Sequence, residues 1–251
     1  MPDMSSLDAI TRQLPDGFYS TFRTYAGCTR VIGLSAHLRR LPNADAAALR
    51  RNLNQLLEPY RPDPVGEARV RILETKEGKF YIAIEPLKLL AKEVYENGVR
   101  VETTSIQRNN PRAKSTAFIS VSEAERKHIA ESGIFEALLV KNGKILEGMT
   151  SNFFYVIDGV LFTAQRDILL GVTRTMVVGA ARRRGREVRF RALELSQLPA
   201  VKETFITSSS RGIVPVIQID SLKIGTGKVG LITKKLMQAY AEDVLKNSER
   251  I

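Results

Sequence analysis

Polar and apolar residues alternate along Gly17–Tyr25, placing Tyr19, Thr21, Arg23 and Tyr25 on one face; a period of two predicts a strand. A second short strand is expected at Val31–Leu34. Ser35 is read as the cap of a short helix that runs to Leu41 and stops at Pro42. Asn43 is read as the cap of the next helix, whose apolar stripe is Leu49, Leu53, Leu56 and Leu57. A turn-rich loop covers Glu58–Gly66, and Ala68–Leu73 with Lys79–Glu85 reads as a hairpin. Val99–Ile106 is a further strand, and Ser115–Ser132 a helix-like stretch closed by Gly133. Two hairpins follow. Asn142-Gly143 joins Ile134–Val140 to Lys144–Leu146, and Asp158-Gly159 joins Asn152–Ile157 to Val160–Thr163. Both dipeptides suit a type I′ turn, which needs positive φ at two successive residues. Thr173–Ala181 reads as an apolar helix with Gly185 just past its end.

The break Arg108–Ala113 is polar and contains a proline, so it is the best boundary. It predicts a small domain over residues 1–107, a linker over 108–113 and a larger domain over 114–251. Composition is ordinary for a globular chain of 251 residues, with 43% hydrophobic and 26% charged. That excludes wholly disordered, collagen-like and coiled-coil chains. The opening MPDMSSLDAI carries acids and no apolar run, so no signal peptide is expected. No stretch approaches a membrane span. The single Cys28 cannot form an intramolecular disulfide, in keeping with a cytoplasmic protein.

Charge adds a question. Lys and Arg number 38 against 27 acids, a formal +11, which points to an anionic partner. The densest basic run is Arg182–Arg191, at the end of one helix and along an alternating strand carrying Arg186, Arg189 and Arg191. Only Phe190 interleaves it, too few aromatics for stacking on single strands. A basic nucleic-acid-binding protein is the reading to weigh against a small phosphorylated ligand.

Only His37 and His128 are available, neither at metal-ligand spacing from Cys28, so no metal is expected. Lysine becomes the candidate base or nucleophile. Leu170-Gly-Val-Thr-Arg174 opens a helix, where free amides favour phosphate. Thr207-Ser-Ser-Ser210, after an apparent strand at Thr204–Ile206, offers a second set of donors.

Longer blocks carry a resemblance. They are Ala36-His-Leu-Arg-Arg-Leu41, Lys144–Thr163 with Glu147-Gly-Met-Thr-Ser-Asn-Phe153 inside it, Leu169–Arg174, Glu203–Val216 and Gly227–Lys235. Their order resembles the fold-type IV pyridoxal-phosphate enzymes, a family that includes branched-chain and D-amino-acid aminotransferases and aminodeoxychorismate lyase. The resemblance implies an α/β fold in two domains, a small α/β N-terminal one and a larger mixed-sheet, barrel-like C-terminal one. It implies pyridoxal 5'-phosphate as cofactor and a homodimer.

By that resemblance Lys114 is the Schiff-base lysine and the acid–base group. Glu147 accepts from the protonated pyridine nitrogen. Arg40 pairs with the phosphate, with Arg39 the alternative one position earlier. Val172 and Thr173 donate from a helix N-terminus, Ser208 and Ser209 form the second phosphate loop, and Leu169 packs on the ring. Tyr19, Thr21, Arg23 and Arg71 are candidate substrate residues. Gly212 stands where an acidic residue is common, with Arg211 before it. The expected reaction is amino transfer between an amino acid or amine and a 2-oxo acid; pyruvate-releasing lyase chemistry is the alternative.

Overall fold

The computed structural model describes residues 6–61 and 66–251, so part of the Glu58–Gly66 loop lies outside the described residues. In chain order the first elements are α1 (Leu7–Arg12), β1 (Gly17–Tyr25), β2 (Arg30–Ile32), α2 (Leu34–Leu38), α3 (Ala46–Leu57), β3 (Ala68–Thr75) and β4 (Phe80–Pro86). Then come α4 (Lys92–Asn97), β5 (Val99–Thr104), α5 (Ala117–Val121), α6 (Glu123–Ser132), β6 (Glu136–Lys141), β7 (Lys144–Gly148), β8 (Asn152–Ile157) and β9 (Val160–Thr163). The rest are α7 (Val172–Arg183), β10 (Val188–Phe190), β11 (Leu193–Glu194), β12 (Glu203–Ser208), β13 (Gly212–Ile219), β14 (Leu222–Lys223), α8 (Leu231–Asn247) and β15 (Ser248–Arg250). Among the described residues no helix is long and apolar enough to cross a membrane.

The chain forms two compact units, Met1–Leu89 with Ala113–Ser120 and Val244–Ile251, and Leu90–Arg112 with Val121–Asp243. These are not the expected spans 1–107 and 114–251. Residues 90–112 join the second unit because β5 lies between β13 and β6 in its sheet. The last residues join the first because β15 pairs with β2, Ser248 opposite Ile32.

The first unit is a five-stranded sheet ordered β15-β2-β1-β3-β4. One core fills behind it: Phe22, Val70 and Ile72 from the sheet meet Leu34 and Leu38 of α2 and Leu49, Leu53 and Leu57 of α3. Leu56, read as part of that stripe, is exposed. Both expected caps move. Gly33, at φ +60°, precedes α2, while the Ser35 hydroxyl donates to Glu249 at 2.6 Å. Asp45 caps α3, and Asn43 donates from backbone and side chain to the buried Glu74. Distant carboxylates outbid the local caps in both cases.

The second unit holds a ten-stranded sheet. Its strands β8-β12-β13-β5-β6-β7 run in sequence, and β7 pairs back to β8, closing a six-stranded barrel. The closing pair is Glu147 opposite Asn152. Parallel pairing occurs at β13–β5 and β5–β6, antiparallel pairing elsewhere in the ring. Val101, Leu138, Phe153, Tyr155, Ile206 and Val216 belong to its packed core. Both predicted turns form, with positive φ at Asn142 and Gly143 and at Asp158 and Gly159. The stretch 115–132 is two helices broken at Ser122, and Gly133 ends the second at φ +68°. Gly185 ends α7 with a Schellman pair: its N–H donates to Arg182 O, and that of Arg186 to Ala181 O.

Candidate active site

In the first unit, Lys114 lies on a segment stitched to the start of β1. Tyr19 N–H donates to Lys114 O at 2.9 Å, and Thr116 N–H to Gly17 O at 3.0 Å. The Thr116 hydroxyl accepts from Gly17 N–H and donates to Asp16, each at 3.0 Å. Gly17 has no alternative here, because a Cβ would fall 2.0 Å from Glu74 O. The Lys114 ammonium sits 4.9 Å from the Tyr19 ring centroid, a cation–π contact.

Arg40 and His37 come from α2 and the turn after it. Arg39 is exposed and Arg40 is not, which favours Arg40 in the register. Burial pushes the Arg40 guanidinium down to about 10. His37 is fully buried; Ser20 Oγ and its Nδ1 are 2.8 Å apart. Burial foremost, then the Arg40 and Lys114 charges, holds its pKa well below the usual 6.5.

Thr21 and Arg71 face each other across β1 and β3. Arg71 differs from the expected substrate role. Its guanidinium is buried and donates to Thr21 Oγ1 at 3.0 Å, Leu7 O at 3.0 Å and Thr11 Oγ1 at 2.7 Å. It pairs with Asp8 at 2.7 Å and covers the Tyr19 ring. These contacts anchor α1 to β3. Arg23 lies over Tyr25 and donates to Thr24 O.

In the second unit, Glu147 stands at the barrel closure, 1% exposed. Its donors include Arg108 Nε on Oε1 at 3.0 Å, and Leu169 N–H and Asn152 Nδ2 on Oε2 at 3.0 and 3.2 Å. Asn152 also donates to Leu169 O at 2.7 Å, so one amide fixes both predicted residues. Neither Arg108 nor Asn152 was among the predicted site residues. Arg108 lay in the presumed linker, and nothing in its neighbours marks a charge bound for burial.

Val172 and Thr173 form the first turn of the twelve-residue α7, and no side chain caps it. Thr173 Oγ1 and Thr207 Oγ1 are buried without a hydrogen-bond partner among the described residues. Buried hydroxyls are normally satisfied, so two orphans beside open amides suit an anion with several acceptor oxygens. Thr207 and Ser208 end β12 rather than lying in the loop. Ser208 Oγ accepts from Arg211 Nε at 3.1 Å. Gly212 has φ +68°, and a Cβ there would meet the Tyr240 ring at 3.1 Å, which accounts for the missing acidic residue.

A phosphorylated pyridine needs an amine, a buried carboxylate and phosphate donors; the first unit carries the amine of Lys114 and the guanidinium of Arg40, and the second carries the carboxylate of Glu147, the open amides of α7 and the two orphaned hydroxyls. Among the described residues no group of three or more His, Cys, Asp or Glu could hold a metal ion. The closed barrel with a carboxylate at its seam is the larger-domain architecture that the resemblance to fold-type IV pyridoxal-phosphate enzymes implies. Residues 17–219 match the Amino-transferase class IV family, and the chain belongs to that family. A Methanocaldococcus jannaschii protein named as a branched-chain-amino-acid aminotransferase is 30% identical, over 90% of this chain and 86% of that one. The D-alanine aminotransferase of Bacillus licheniformis is 24% identical, over 95% and 91%. A Thermotoga maritima crystal structure described as a branched-chain amino acid aminotransferase superposes with TM-score 0.82 at 25% identity, covering 98% of this chain and 92% of that one. The chain is thus a pyridoxal-phosphate-dependent aminotransferase that works on an amino acid and a 2-oxo acid.

Proposed function

We propose that this enzyme transfers the amino group of a branched-chain amino acid to a 2-oxo acid. The observation that carries the reading is the near full-length similarity to the M. jannaschii protein of that name. When bound, pyridoxal 5'-phosphate supplies an electron-withdrawing ring that stabilises negative charge at the substrate Cα. Lys114 Nζ would hold the cofactor covalently and, once released, would be the amine that moves a proton at the substrate Cα. Glu147, held by Arg108, Asn152 and Leu169, would accept from the pyridine nitrogen. Arg40 takes the phosphate, with the amides of Val172 and Thr173, the Thr173 hydroxyl, and Ser208 and Ser209 as further donors. Leu169 would pack on the ring. Tyr19 and Thr21 line the substrate's approach, with Arg23 further along the same strand; Arg71 supports that strand from the neighbouring β3, opposite Thr21.

A homodimer is part of this reading, as is a cytoplasmic location, which rests on amino-acid substrates and the lone buried Cys28. The dimer is tested by sedimentation of the active holoenzyme, and a monomer overturns it. Activity is tested by offering L-leucine, L-valine or D-alanine with 2-oxoglutarate and following the new 2-oxo acid. Turnover with D-alanine alone overturns the branched-chain assignment. Pyruvate released from aminodeoxychorismate without an acceptor, and no amino transfer, overturns the transaminase reading for lyase chemistry. Borohydride reduction followed by peptide mass analysis is expected to place the cofactor on Lys114.

A further inference from the structure

Arg211 precedes Gly212, the position where the resembling family commonly carries an acidic residue, and several groups of the barrel hold its side chain. Arg211 sits in the turn between β12 and β13. Its Nη2 donates to Glu136 Oε2 at 2.8 Å and to Thr150 Oγ1 at 2.6 Å, and its Nε to Ser208 Oγ at 3.1 Å. The guanidinium lies over the Phe135 ring, and the residue's carbonyl accepts from Tyr95 OH at 3.0 Å. Glu136 is 3% exposed and also accepts from Thr150 through backbone and hydroxyl. The neighbouring Gly148 keeps this carboxylate close, since a Cβ would fall 2.7 Å from its Oε1.

These bonds do two things. They tie the β7–β8 turn, two residues from the Asn152 that holds Glu147, to Ser208 at the end of β12 and to the β12–β13 turn that follows with Ser209. They also fix a guanidinium whose other terminal nitrogen, Nη1, has no acceptor among the described residues. The side chain of Arg211 in this ion pair is 22% exposed, so that nitrogen can meet a ligand. Arg71, the other arginine considered for a substrate, has its donors committed to α1 and Thr21.

We propose that Arg211 is a specificity-determining residue whose Nη1 binds a carboxylate of the amino-acid or 2-oxo-acid substrate. A guanidinium already held in one rotamer gives up little side-chain entropy on binding. One donor gives a single charge-assisted hydrogen bond. The carboxylate is either the one common to all substrates or the distal one of a dicarboxylic acceptor, and the two have different signatures. The inference rests on the aminotransferase reading of the same site.

The test compares wild-type holoenzyme with Arg211→Gln and with the double variant Arg211→Gln/Glu136→Gln. The second removes the buried carboxylate that the first leaves unpaired, so it reports even where the single variant fails to fold. KM is measured for L-leucine, for 2-oxoglutarate and for an amine lacking any carboxylate. Binding of 4-methylvalerate, an unreactive carboxylate, is read from the cofactor absorbance. Loss of one charge-assisted hydrogen bond is expected to raise the affected KM roughly 10–100-fold. A rise for L-leucine and 2-oxoglutarate, with weaker 4-methylvalerate binding and an unmoved KM for the amine, assigns the common carboxylate. A rise for 2-oxoglutarate alone assigns the distal one. Unchanged KM values, or an equal rise for the amine, overturn the proposal. Wild-type enzyme that transfers no amino group fails the aminotransferase reading itself, a separate result.

Discussion

At the residue scale, most of the chemistry was written in short motifs, but the groups that make it work were not. Glu147 announces itself in an E-G-x-x-S-N-F block; its partner Arg108 is 39 positions away in a stretch that reads as linker. The pair is 6% and 2% exposed, so each charge depends on the other. Arg108→Met is therefore expected to cost about 3–5 kcal/mol, because a buried carboxylate loses its counter-charge. Urea unfolding checks this, and a loss within experimental error would show that Asn152 and Leu169 suffice. Lys114→Ala makes the contrasting case: an unchanged unfolding midpoint, with turnover down by at least ~10²–10⁴-fold from lost proton transfer alone. His37 gives a pH prediction. Its folded pKa lies well below 6.5, so on acidification the unfolded chain takes up a proton that the folded chain refuses. Stability is expected to fall as pH drops below 6.5. His128 works in the opposite sense, its pKa raised by its hydrogen bond to Glu102. The comparison is therefore wild type against His37→Gln, whose stability should decline less from pH 7 to pH 5.

At the element scale, legibility followed the range of the interaction. The two I′ hairpins and the Gly185 helix end are encoded by adjacent residues, and both formed as read. The caps of α2 and α3 failed because Ser35 and Asn43 answer to Glu249 and Glu74, distant in sequence. Barrel closure is equally invisible locally, since the ring is complete only when β12 and β13 reach β8 and β5 from far along the chain. Helix α7 shows the same dependence in a testable form. Its N-cap Gly171 touches the closure: a Cβ would fall 2.1 Å from Asn152 Oδ1. Gly171→Ala must displace the amide that holds both Glu147 and the Leu169 backbone. Weaker cofactor retention on dialysis is expected, with little change in α-helix content by circular dichroism. Retention equal to wild type would mean that Asn152 moves aside without disturbing Glu147.

At the scale of the whole molecule, the basic run has partners of its own. Arg183 pairs with Asp243, Arg184 with Glu242 and Arg189 with Glu187. Arg182 and Arg191 lie over Phe190 and Phe162, and Arg186 donates to Gly159 O. These contacts give the cluster a structural use that needs no nucleic acid. The chain's last residues show how a whole-molecule contact reaches the site. Strand β15 closes the first sheet against β2, and Glu249 accepts from Ser35 N–H and Oγ and from Arg50. Those hydrogen bonds hold the Glu249 carboxyl below the usual carboxylate range against the opposing effect of burial. Glu249 thereby secures the first turn of the helix that leads through His37 to Arg40, with no side-chain cap to do so. Removal of Ser248–Ile251 is expected to lower the melting temperature and weaken cofactor binding. Glu249→Gln should do the same to a smaller degree, because it keeps β15 and loses only the charge. Fluorescence titration of each apo-variant with pyridoxal 5'-phosphate measures the order, wild type tightest and truncation weakest. Equal affinity for all three would show that α2 holds Arg40 in place without help from the chain's end.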